Sequence, residues 1–227
     1  FKMDPTMTRL IWATYIGGAN NEGGGSISVN AQGEVFVSGY TLSVNFPTTN
    51  AADNTYLVNN TVNYFCLKLS SDGSRLLYSR ILGNGAPITQ QTQSASKGAQ
   101  LAISPNGDAF VYAHTASNRY TITTNAYQTT AAGGMDLVLT KLDSNGTIVY
   151  STFLGGSQNE RSGDIAYANG KLYCVGSTAS GNLPLRYGKT PDANDCFVMV
   201  TDDGAVPTTR RFFVFGSSGL DTGITVN

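Results

Sequence analysis

The chain has 227 residues, of which 41% are hydrophobic and only 13% charged, with a net charge of −1, 26 Gly, one His and three Cys. No apolar run approaches the roughly 18 residues of a membrane helix, and the near-neutral charge offers no basic field for nucleic acid or anionic lipid. The first five residues (FKMDP) have neither the basic nor the apolar region of a signal peptide, while low charge with abundant Asn and Thr leans towards an extracellular surface.

Taken in chain order, the sequence repeats itself. Residues 1–12 (FKMDPTMTRLIW) lie without a gap on residues 67–78 (LKLSSDGSRLLY). Residues 1–16 are therefore predicted to end a repeat, as its third and fourth strands. Next come SISVN at 26–30, EVFVSGYT at 34–41, FCLKLSSDG at 65–73 and YSRILG at 78–83. The second and third strings return as DAFVYAHT at 108–115 with VLTKLDSNG at 138–146, and as KLYCVGST at 171–178 with CFVMVTDDG at 196–204. The last string returns as YSTFLG at 150–155 and RFFVFG at 211–216, and GITVN at 223–227 opens another round. Each string is short, β-branched or aromatic, and bounded by Gly, Asn, Asp or Ser, as strands are. Asn-Gly and Asp-Gly pairs at the joints accept the positive φ of tight hairpins. No segment carries a helical stripe.

Four antiparallel strands per period of about 60 to 72 residues predict an all-β fold, a β-propeller of four-stranded blades. Complete blades are expected at 26–82, 99–154 and 164–215, with partial blades at 1–16 and 222–227. The whole of 1–227 is then one propeller segment, expected to be completed by further blades of a longer chain. The alternative is a small ring closed by the two ends.

The corner at 17–18, NFPTT at 45–49, TNAYQTT at 124–130, NLP at 182–184 and the strings above resemble the SBBP family of bacterial β-propeller repeats over essentially the whole chain. Residues 84–98 depart from that pattern. The resemblance implies a secreted or cell-surface bacterial protein, often a very large one. Type IX export and adhesion-linked roles follow by the same analogy, without a known catalytic activity.

The long connections, 18–25, 84–98 and 156–163 together with 42–62, 116–135 and 179–194, are expected on one face, where a rigid scaffold displays binding residues. An acid recurs there five residues after each corner: Glu22, Glu160 and Asp221. It is absent from the second repeat. These acids form a ring of carboxylates for a cation or polar ligand, or they pin the crossings between blades by accepting backbone N–H bonds. Repetition with the blade favours the second reading. Asn21, Asn159 and Arg161 flank the acids and, with them, are the candidate contact residues for a partner protein or a glycan. Tyr56, Tyr120, Tyr127 and Tyr187 are loop aromatics that stack on sugars or close the outer core.

The single His114 has no visible nucleophile or metal partner and is expected to pack at a strand end. Cys174 and Cys196 lie in one repeat, and register decides between a bridge and buried thiols, the commoner outcome. Residues 143–147 lack the downstream Glu of a calcium loop, and residues 17–25 lack the Lys of a phosphate loop. Asn59 and Asn145 head glycosylation sequons. The sequence thus predicts no catalytic residue, metal or cofactor. It predicts a scaffold or interaction module whose partners are further blades, a surface or secretion protein, or a glycan. A carbohydrate-binding propeller and an enzyme built on Glu22, Glu160 and Asp221 are the rival readings.

Overall fold

The computed structural model describes residues 1–59, 61–87, 99–183, 186–188, 195–204 and 210–216. Within them the chain is all-β, apart from one 3-10 turn at Ala51–Tyr56. That turn lies inside a connection with no helical stripe. It forms because the Asn50 side chain caps it by accepting the Ala52 N–H, and Asp53 within it is buried.

The first two strands, β1 (Lys2–Met3) and β2 (Leu10–Trp12), form a two-stranded ribbon. A four-stranded sheet follows, β3 (Glu22–Val29), β4 (Val35–Thr41), β5 (Thr61–Leu69) and β6 (Leu76–Pro87), in chain order and antiparallel throughout. The second sheet repeats it with β7 (Gln100–Ile103), β8 (Ala109–Thr115), β9 (Asp136–Leu142) and β10 (Ile148–Leu154). The third holds β11 (Glu160–Ala168), β12 (Lys171–Thr178), β14 (Asp195–Asp202) and β15 (Arg210–Phe215), and β13 (Arg186–Gly188) pairs parallel to β15 as a fifth, outer strand. Strands β3 and β11 begin at Glu22 and Glu160, earlier than hydrophobicity alone marks, because a bulge after Gly24 and after Ser162 lets these polar, Gly-containing starts keep pairing.

The sheets stack face to face. Alternate residues of each strand point to opposite neighbours, so Phe36, Cys66, Tyr78 and Leu82 meet Ala99, Val111, Val138 and Phe153. Phe110, Tyr112, Leu139 and Tyr150 meet Leu172, Cys174, Phe197 and Phe212. All seven residues of β8 are buried because its sheet is covered on both faces. Each such large side chain contributes about 1.5–3 kcal/mol. Strand β7 lies against both β3 and β11, so the first strands of the three sheets converge.

Polar struts repeat across the joints. Lys68 pairs with Glu34 at 2.6 Å, lies over the Phe36 ring and donates to Ser144 O of the next sheet at 3.3 Å. Lys141 pairs with Asp108 at 3.0 Å, lies over Phe110 and donates to Asp203 O at 2.7 Å.

Register corrects one alignment and closes one option. Phe197, not Cys196, stands opposite Gly176, as Phe65 stands opposite Gly39. The following turn at 201–204 is one residue shorter, which shifts the third string by one. Cys174 is opposite Met199 and Cys196 opposite Ser177, so no bridge forms; all three cysteines are free and buried.

Candidate functional site

Glu22 and Glu160 each begin a first strand, where the chain has just crossed from the outer strand of the preceding unit. In the first sheet a Thr-x-Ser-x-Asn string, 41–45, reads that crossing. Ala19 N–H donates to Asn45 Oδ1 at 2.9 Å and Asn20 N–H to Ser43 Oγ at 2.7 Å. The hydroxyls of Thr41 and Ser43 both donate to Glu22 Oε1. The third sheet repeats three of these bonds. Ser157 N–H donates to Asn182 Oδ1 at 2.8 Å, Gln158 N–H to Ser180 Oγ at 2.9 Å, and Thr178 Oγ1 to Glu160 Oε1 at 2.8 Å. Gly156 N–H donates to Glu160 Oε2 at 2.9 Å. Glu160 is wholly buried, and Glu22 is half-buried.

The second sheet shows how the joint works without the acid. Thr115 Oγ1 donates to the Asn84 carbonyl at 3.0 Å, so a backbone oxygen takes the carboxylate's place. Ser117 and Arg119 continue the string, with Arg119 N–H donating to Ser117 Oγ. The Asn84 side chain donates to Tyr56 O and to Asn63 Oδ1. Thr41, Ser43, Thr178 and Ser180 are site residues that the sequence reading missed. Their signal was present as TLSVN at 41–45, TASNR at 115–119 and TASGN at 178–182.

The flanking candidates fare differently. Asn21, Asn159 and Arg161 are exposed. Asn21 O accepts the Leu42 N–H, and Asn159 spends its side chain on the Met135 N–H at 3.0 Å. Asp221 lies outside the described residues, as does the string at 223–227.

No family model matches the chain, and no curated protein is found similar to it.

His114 is buried at the end of β8. Its Nδ1 accepts the Ser162 N–H at 3.1 Å and meets Ser162 Oγ at 2.9 Å, which places the ring proton on Nε2. Burial, with the nearby Arg161 charge, pushes its pKa down to about 4, so the ring is neutral at pH 7.

The connections 42–62 and 116–135 bond along the outer strands. Thr49 N–H donates to Ser79 O at 3.0 Å and Thr123 N–H to Ser151 O at 3.1 Å, while Phe153 N–H donates to Gln128 O. Strand β13, which includes Tyr187, covers β15 in the same way. Tyr120 is buried, Tyr56 half-buried and Tyr127 exposed.

Proposed function

We propose that this chain is a segment of a β-propeller of the SBBP type, a scaffold and interaction module of a secreted or cell-surface bacterial protein, whose immediate partners are further blades. The observation that carries this reading is the repeated sheet-on-sheet joint left open at one end. On the outer face of the first sheet Val35 and Leu69 are buried, with Val37 and Trp12 half-buried against them. On the same sheet Ile27 is 65% and Val29 57% exposed. The corresponding face of the second sheet is buried against its neighbour. An apolar face of this kind marks an interaction surface, and a stacked unit of the same shape fits it. The fan of converging first strands supports propeller geometry. The engagement of Glu22 and Glu160 in the joints supports a structural role for these acids.

Two measurements test the proposal. The chain alone is expected to bind 8-anilinonaphthalene-1-sulfonate and to self-associate in sedimentation, and Ile27→Lys with Val29→Lys is expected to suppress both without lowering the melting temperature. A strictly monomeric, dye-silent wild type would show that nothing needs to cover this face. Fractionation of the source cells is expected to place the full polypeptide outside the cell; finding it only in the cytosol would sink the surface assignment.

A further inference from the structure

We propose that Asp136 and Glu160 hold one proton between them at neutral pH, which makes the joint between the second and third sheets a proton-binding site that loosens when the proton leaves.

Asp136 opens β9 and Glu160 opens β11, and both are fully buried. Asp136 Oδ2 accepts the N–H groups of Ala132 at 3.0 Å and Gly133 at 3.2 Å, whereas its Oδ1 has no hydrogen-bond partner among the described residues. Glu160 Oε1 is held by Thr178 and Oε2 by the Gly156 N–H. Asp136 Oδ1 and Glu160 Oε2 close on one point, the side of Gly155 where a Cβ would stand. Two carboxylates so placed, away from water, do not both ionise without a large cost. One proton taken from solvent turns the repulsion into an O–H···O⁻ hydrogen bond and gives Oδ1 its partner.

The preceding joint shows the same contact in a form that does not titrate. Asn63 stands opposite Thr41 as Asp136 stands opposite Thr115. There Asn84 Nδ2 donates to Asn63 Oδ1, so a permanent amide donor occupies the place that the shared proton takes in the next joint.

The surroundings favour the protonated pair. Burial raises the pKa of both acids, and the charge of Asp136 raises that of Glu160 further. From β8, burial keeps the Tyr112 phenol neutral, with the Glu160 charge acting in the same direction, and His114 is neutral at pH 7. Arg161, next to Glu160, is exposed, and its charge acts on His114. Thr178 and Ser180 bring only hydroxyls, and among the described residues no ion pair includes either acid. The folded state binds a proton that the unfolded chain releases above the ordinary carboxyl range. Stability is therefore greatest at and below that range and falls as pH rises through the raised folded value.

The test compares wild type with Asp136→Asn, which supplies the permanent donor seen at Asn84, by urea unfolding of the whole chain from about pH 4 to about pH 9. The wild-type midpoint minus the variant midpoint is expected to fall with rising pH, with the variant overtaking at the alkaline end. The contribution of His114 cancels in this difference. Glu160→Gln is expected to lose the same slope, and carboxyl ¹³C resonances of wild type are expected to show at least one of the two acids titrating above the ordinary range. A pH-independent difference, or two carboxyls titrating normally, would overturn the proposal. So would stabilisation by added calcium at alkaline pH, because a cation would then stand in the proton's place.

Discussion

Gly146 closes the β9–β10 turn with φ of +83°, and the Tyr78 ring of the preceding sheet lies where its Cβ would be, 2.6 Å from the nearest ring atom. Trp12 lies on Gly73 in the same way. Gly107 has the same φ but only Ser144 Cβ at 3.6 Å. Gly107→Ala is expected to cost about 1 kcal/mol of backbone strain, and Gly146→Ala about 1–3 kcal/mol more because the joint must open; urea unfolding separates the two. Thr178→Ala removes a buried donor to a buried carboxylate and is expected to cost about 1–3 kcal/mol. Thr41→Ala is expected to cost less, because Glu22 is half-buried and water replaces the lost donor. His114 contributes in the opposite pH direction to the acid pair. Its folded pKa is lowered, so its share of stability is complete above its ordinary value of 6.5 and is lost as pH falls towards about 4. His114→Gln is expected to flatten the acid limb of the stability–pH curve. Glu22 and Glu160 were legible in the sequence, and so were their spacing and the structural reading that competed with the ligand reading, whereas Asp136 was not singled out. Their partners were not, because a hydrogen bond between Thr178 and Glu160 joins residues that only strand pairing makes neighbours.

At the scale of the element, the connections between second and third strands have a task that loop length does not announce. An outer strand presents unpaired N–H and C=O groups, a template for aggregation. Thr49 and Thr123 each answer it twice, donating a backbone N–H to the carbonyl of Ser79 or Ser151 and accepting the N–H of that same residue on the side-chain hydroxyl. Thr123→Ala is expected to lower stability by about 1 kcal/mol and to shorten the lag of thermal aggregation; an unchanged lag would show that the edge needs no cover. Thr49 and Thr123 thus fasten the connections 42–62 and 116–135, two of the long loops expected on one face, along the outer strands. The strands were legible from their β-branched and aromatic runs, and the turns from their Asn-Gly and Asp-Gly pairs. The 3-10 turn was not, since it rests on the Asn50 cap rather than on a periodic stripe.

For the whole molecule, the two lysine struts show how one repeat is tied to the next. Lys68 and Lys141 occupy equivalent positions in different joints, each anchored in its own sheet by an acid and an aromatic ring. Lys68→Met and Lys141→Met are expected to destabilise by about 1–2 kcal/mol each, and the double variant by their sum, as in a chain of nearest-neighbour interfaces. A strong departure from additivity in a double-mutant cycle would mean that the two joints are energetically coupled rather than independent interfaces.

The amino-acid sequence alone determined that this protein is built from β-strands in a four-strand repeat, because strand propensity, turn chemistry and period are written locally. Only the tertiary structure decided that Phe197 rather than Cys196 takes the equivalent place, that Cys174 and Cys196 lie apart, and that Glu160 meets Asp136 rather than open solvent. Each of these depends on a one-residue register or on contact between sheets. A shift of one residue reverses every side chain in a strand, and no local signal carries that information.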